Sequence, residues 1–236
     1  MDVELTTDIG KLETLLGVQF ADKQTILSAI THRSYLNEHR EATWAHNERL
    51  EFLGDAVLEL VVTDYLFNKY PDKPEGELTA VRAALVNTTS LADASEQLGI
   101  NKYLLMSKGE AKDEGRARQY ILANAFEAVI GALYMDQGYE VAKEFIAARL
   151  FPKTDEIVDK RLWQDPKSRF QELAQEQASI TPTYETVGQE GPDHDRVFTV
   201  GVFLRHEKVA EGQGRSKQEA EQAAAEKAIA VKNWEM

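Results

Sequence analysis

The apolar positions change rhythm about two-thirds of the way along this 236-residue chain. Up to residue 150 they recur every three or four residues, the spacing that keeps one face of an α-helix apolar. Such segments run near 9–16, 23–31, 47–69, 77–98, 117–137 and 139–150. Tyr70-Pro71 closes the long third segment, and Pro74 and Gly76 occupy the connection after it. Gly99 and Gly138 sit where glycines commonly end helices. Residues 107–116 (SKGEAKDEGR) are polar and predict an exposed loop. Between Pro152 and Pro166 the pattern weakens. After it, 167–177 reads as a helix on Phe170, Leu173 and Ala174. Three strand-like runs follow near 182–188, 195–204 and 207–213. In the middle run Phe198, Val200, Val202 and Leu204 alternate with other residues, the period of a strand. Residues 216–232 return to helix, with a stripe of Ala220, Ala224 and Ala228. The order predicts an all-α N-terminal domain over residues 1–150, a linker over 151–163, and a small α+β (α-β-β-β-α) domain over 164–236.

Two of the helices carry acids at a telling spacing. In HNERLEFLGDAV (46–57), Glu48, Glu51 and Asp55 stand at i, i+3 and i+7, within an arc of roughly 60° on a helix. Leu50, Leu53, Val57, Leu60 and Val61 are assigned to the opposite side, so one side is expected to be core and the other acidic. In YILANAFEAVIGALYM (120–135), Phe126, Val129, Ile130 and Leu133 form the apolar stripe. Glu127 faces away from it, with Asn124 one turn earlier. Ala128 and Gly131 are small enough to admit a closely packed helix. If the two helices pack, Glu127 and Asn124 meet Glu51 and Asp55. Carboxylates that close repel unless a cation joins them, and all-oxygen donors select a hard divalent ion, Mg²⁺ or Mn²⁺. The competing explanation is a solvated acidic face. Phe52 lies near the carboxylate side, where a large aromatic stays partly exposed unless something covers it.

Composition narrows the classes. Hydrophobic residues make up 43% of the chain, enough for a core, which excludes global disorder. The absence of cysteine excludes disulfides and cysteine-zinc sites and suits a reducing compartment. No apolar run approaches the ~18 residues of a membrane span. The N-terminal MDVELTTDIG lacks the basic and apolar regions of a secretory signal. A cytoplasmic protein without a membrane partner is the expectation. The net charge of −13 alone argues against a nucleic-acid partner, because phosphate binders are usually basic. The charge is uneven, however: residues 161–236 hold 10 Lys and Arg against 13 Asp and Glu, leaving −10 to the region of the acidic helices.

Three features of the C-terminal domain point to RNA. Ser216 is a helix N-cap, and Arg215 and Lys217 beside it add charge where free N–H groups face a phosphate. His194 sits at the tip of the loop GQEGPDHDRVF. Gln171 and Glu172 lie on the first helix of the domain, off its apolar stripe. Together they could touch a minor groove, the next phosphates and a second minor groove of an A-form duplex.

These segments resemble bacterial ribonuclease III along nearly the whole chain. The likeness rests on four blocks in that family's order: THRSY (31–35), HNERLEFLGDAV (46–57), GELTAVRAALVNTTSLA (76–92) and ILANAFEAVIGALYMD (121–136). Residues 164–230 resemble its double-stranded RNA-binding domain through DPKSRFQE, GPDHDRVF and GQGRSKQEAEQAAA. The resemblance implies metal-dependent hydrolysis of double-stranded RNA during processing of rRNA and other structured transcripts. The products would keep 5′-phosphate and 3′-hydroxyl ends with a short 3′ overhang. Mg²⁺ is the implied cofactor, with Mn²⁺ as a substitute. Glu48, Glu51, Asp55 and Glu127 fall on the family's acidic positions. Asp55 and Glu127 are the implied catalytic pair, and Glu51, Asp55, Asn124 and Glu127 the implied metal-holding set. A homodimer is also implied, with the residue at Phe52 inserted into a cavity of the partner subunit. Two positions depart from the family. Asn124 stands where an Asp is usual, keeping a carbonyl oxygen but losing a charge, and Gln218 stands where a base is usual. The alternative reading, which rests on Asn124 alone, is a double-stranded RNA-binding protein whose cleavage is weakened or absent.

Overall fold

The computed structural model describes residues 8–112, 114–192 and 196–234. The chain forms two compact units, the first ending at Val158 and the second beginning at Asp159.

The first unit is helical. Its described elements are α1 (Ile9–Leu16), α2 (Lys23–Ala29), α3 (Arg33–Glu38), α4 (Glu48–Lys69), α5 (Glu75–Val86), α6 (Thr88–Gln97), α7 (Arg116–Gln137), α8 (Tyr139–Leu150) and α9 (Thr154–Asp159). Asp8, Asp22 and His32 cap the first three through their side chains. Helix α7 is the centre. Between Ile121 and Leu133 only Asn124 and Glu127 escape full burial, as expected of a helix apolar almost all round. Helices α2, α4, α6 and α8 pack against it.

Several expectations need correction. The single segment foreseen over 77–98 is two helices. Asn87 takes an extended conformation (φ −69°, ψ 160°) and its side chain accepts the Ser90 N–H at 2.8 Å. This local bond competes with continuation of α5 and starts α6 instead. Residues 151–159, expected in a linker, are helical and belong mostly to the first unit. The Phe151 ring stacks on Tyr65 at 3.6 Å between centroids, and the Tyr70 hydroxyl donates to Asp155 at 2.9 Å. On α4, Leu60 is 57% exposed, while Gly54, Val57, Leu58, Val61, Val62 and Leu66 are buried. The acids therefore flank the buried face rather than oppose it.

The second unit holds α10 (Pro166–Ala178), β1 (Thr183–Glu190), β2 (Val197–Leu204), β3 (Glu207–Gly214) and α11 (Lys217–Lys232). The strands form an antiparallel sheet in the order β1-β2-β3, with Tyr184 opposite Val202 and Val202 opposite Ala210. Phe170, Ala174, Val202 and Leu204, with Ala224, Ala225, Ala228 and Ile229 of α11, make the core. The alanine stripe lets α11 lie directly on β3: a Cβ at Gly212 would stand 2.1 Å from the Ala224 nitrogen. No helix among the described residues is long and apolar enough to cross a membrane.

Candidate active site

Helices α4 and α7 meet backbone to backbone. A Cβ added at Gly54 would lie 1.8 Å from the Glu127 carbonyl oxygen, and one at Gly131 would lie 2.1 Å from the Leu50 carbonyl oxygen. Gly131 matches the small-residue contact expected from sequence. Gly54 was not singled out, although a glycine inside a long helix is a signal, since it costs about 1 kcal/mol relative to alanine. Gly54 stands between Glu51 and Asp55, and Gly131 one turn after Glu127. The closest approach of the two helices is thus at the level of the acids.

The electrostatics follow from that approach. Burial, then the charges of Glu48 and Asp55, raise the Glu51 carboxyl above its ordinary range, while a hydrogen bond from the Asn124 side chain opposes the shift. Burial, then the charges of Asp55, Glu51 and Glu59, push the Glu127 carboxyl up to about 7. The structure therefore gathers Glu48, Glu51, Asp55, Asn124 and Glu127 into one coupled cluster. Glu59, one turn beyond Asp55, belongs to it and was missed in the sequence. The ends of the acidic row on α4 carry arginines: Arg33 of α3 lies 3.3 Å from Glu48, and Arg82 of α5 lies 2.7 Å from Glu59. Among the described residues, no ion pair reaches Glu51, Asp55 or Glu127.

The donor set is all oxygen, and its like charges crowd without a cation. Among the described residues, no three His, Cys, Asp or Glu side chains are arranged to hold a metal ion by themselves. The chemistry of the donors, all of them oxygen, is that of a site for a hard divalent ion.

In the second unit, Gln171 and Glu172 are exposed on α10. Gln171, Lys217 and Gln218 line one cavity with Lys167 and Tyr184. Ser216 caps α11 by accepting the Glu219 N–H at 3.1 Å, and the Arg215 N–H donates to the Glu219 carboxylate at 2.9 Å. His194 lies outside the described residues. Phe52 is 81% exposed on α4 and lines one cavity with Trp44, His46, Leu50, Leu53 and Met135.

Known proteins with these features are similar over most of the chain. Residues 22–154 match the family described as ribonuclease-III-like, and residues 166–232 match the double-stranded RNA binding motif. Ribonuclease 3 of Enterococcus faecalis is 44% identical over 229 residues, covering 97% of this chain and 98% of that protein. Ribonuclease 3 of Carboxydothermus hydrogenoformans is 47% identical over 218 residues, covering 92% and 93%. Among solved structures, the nuclease domain of ribonuclease III from Campylobacter jejuni aligns with a TM-score of 0.56 at 44% identity. That alignment spans 64% of this chain and all of that one, and the study of that domain concerns flexibility in a region involved in dimer formation.

Proposed function

The chain belongs to the ribonuclease III family, and we propose that it cleaves double-stranded RNA with Mg²⁺ held between α4 and α7. The observation that carries this reading is Glu127, raised to about 7 by burial and by acids on the facing helix, with no cation paired to it. Asp55 and Glu127 would hold the ion, with Glu51 and the Asn124 carbonyl as the further donors and Glu48 as the remaining acid beside them. When bound there, Mg²⁺ would supply an ionised water and stabilisation of charge on the scissile phosphate and the leaving oxygen. Glu127 must be ionised to take part. Its raised carboxyl means that the same neighbours that favour a cation also favour a proton, and the two compete for the site.

The second unit supplies affinity for the duplex through Gln171 and Glu172, His194, and the Arg215-Ser216-Lys217 start of α11. Exposed Phe52 beside an open cavity supports a symmetric homodimer in which each copy fills the other's cavity. Two acidic centres across one duplex then cut one strand each. This accounts for a staggered cut; the products keep 5′-phosphate and 3′-hydroxyl ends with a short 3′ overhang, and the substrates are rRNA and other structured transcripts.

One observation favours the alternative of binding with weakened cleavage. Asn124 offers Glu51 a hydrogen-bond donor, where an Asp would offer the ion a second charge. Incubating the protein with an end-labelled duplex separates the readings. Staggered cuts that need Mg²⁺ and stop on chelation support the nuclease. A gel shift without cuts across the millimolar Mg²⁺ range supports the alternative, and neither cuts nor shift refutes both.

A further inference from the structure

The acidic row on α4 has four members, and the one nearest α5 is treated differently from the middle two. Glu59 continues the row one turn past Asp55 and acts on Glu127 across the helix contact. Its carboxylate receives Arg82 Nε at 2.7 Å. The same guanidinium donates through Nη1 to Thr63 Oγ1 at 2.8 Å, so it is gripped at two points one turn apart on α4. Arg82 itself is held by α5, where adjacent Val81 and nearby Leu85 are fully buried. Both partners of the pair are about one-third exposed, so water screens it only in part. Glu51, Asp55 and Glu127 have no such cation.

From this contrast we infer that Arg82 is a positioning residue that keeps Glu59 out of the divalent-ion site, confining the ion to Glu51, Asp55 and Glu127. The inference rests on the proposed metal reading. An unpaired Glu59 would lengthen the acidic row and give the ion a second resting place, one turn from where Asn124 and Glu127 face α4. Paired, Glu59 is anchored toward α5, although its charge still reaches Glu127. Arginine suits the role because its planar fork engages the carboxylate and the Thr63 hydroxyl together, whereas lysine would offer a single point charge.

The test is Mn²⁺ binding to the RNA-free full-length protein, read from the loss of the free-ion electron paramagnetic resonance signal. Arg82→Met keeps the length of the side chain and removes its charge. The variant is expected to bind Mn²⁺ about three- to tenfold more tightly than the parent chain, because one more uncompensated carboxylate faces the site. Glu59→Gln leaves Arg82 unpaired and is expected to weaken binding by a similar factor. The double variant should return to the parent affinity, and Arg82→Lys should stay within about twofold of it. A purely structural Arg82 would lower thermal stability in Arg82→Met and leave the ion affinity of the folded fraction unchanged, which overturns the inference. If Arg82→Met does not fold, Glu59→Gln decides alone: unchanged or tighter Mn²⁺ binding overturns it. A parent chain that takes up no Mn²⁺ at millimolar concentration refutes the metal reading itself, a result distinct from equal affinity in parent and variant.

Discussion

Replacing Gly54 with alanine tests whether the α4–α7 contact sets the chemistry. The new Cβ would start 1.8 Å from the Glu127 carbonyl oxygen, 2.7 Å from its carbonyl carbon and 2.9 Å from the Gly131 nitrogen. All three are backbone atoms, so no side chain can rotate aside. To reach the roughly 3 Å below which Cβ contacts are not found, the helices must separate by about 1.2 Å. Overpacking of this kind costs about 1–3 kcal/mol, partly offset by about 1 kcal/mol from alanine's better helix propensity. A net loss of up to ~2 kcal/mol lowers Tm by up to about 8 °C in a protein of this size. The kinetic effect is expected to be larger. The shift moves Glu51 and Asp55 away from Asn124 and Glu127, and a misplacement near 1 Å can cost about 100-fold in rate. Gel-shift affinity for the duplex should hold, because the RNA-binding unit has its own core. Gly76→Ala is the control: nothing lies within 4 Å of its Cβ position. The assays are single-turnover cleavage, differential scanning calorimetry and gel shift on all three proteins. A Gly54→Ala enzyme with parental cleavage rate and Tm would refute the claim that this contact fixes the site.

Asn124→Asp adds a charge beside Glu51 and is expected to lower the Mg²⁺ concentration for half-maximal cleavage by about tenfold; an unchanged Mg²⁺ titration would show that residue 124 does not face the ion. In the metal-free protein the Glu127 carboxyl lies above its ordinary value of 4.5, at about 7, so the folded state holds a proton there that the unfolded chain has released. Its contribution to stability is complete below about pH 4.5 and is lost as pH rises to about 7. The Tm measured in chelator should therefore fall between pH 5 and pH 7.5, and Mg²⁺ should raise Tm more at pH 8 than at pH 6. Equal Mg²⁺ shifts at both pH values would contradict the assignment. Phe52→Ala removes about 1.5–3 kcal/mol of burial from each copy of a symmetric pair, so sedimentation should show a dimer at least 100-fold weaker; an unchanged dimer constant would place the interface elsewhere.

The fold was legible where one residue pattern had one partner. The apolar stripe of α7, the alternation in β2 and the alanine stripe of α11 each specified an element and a buried face. Reading failed where a local bond overrode the period, as Asn87 did by capping α6. It also failed where a helix wheel assumed a single core direction. Leu60 was placed with the core although α4 turns a different side to α7, leaving that leucine exposed. A wheel gives relative angles between side chains, but the packing of neighbouring helices decides which angle is buried. The turn and helix at 151–159 escaped notice because six residues are too few for periodicity, and they are held by Tyr65 and Tyr70, more than eighty residues earlier.

The candidate site was legible for a different reason. Three acids on one arc of a helix are a local pattern, and so is a second helix with an acid beside small residues. What the pattern lacks is the counter-charge. Glu59 falls on the same arc, and only Arg82 from another helix distinguishes it from Asp55. This matters for substrate choice as well as for the ion. Without a cation, Glu51, Asp55 and Glu127 repel phosphate, so a net charge of −13 is compatible with RNA only if the two tasks are divided. On the proposed reading, the second unit supplies attraction through its few local bases, and the first unit accepts a phosphate only together with the ion that neutralises it. An empty acidic centre therefore resists unproductive contact with nucleic acid, and the charge that seemed to exclude an RNA partner becomes a condition for metal-gated cleavage.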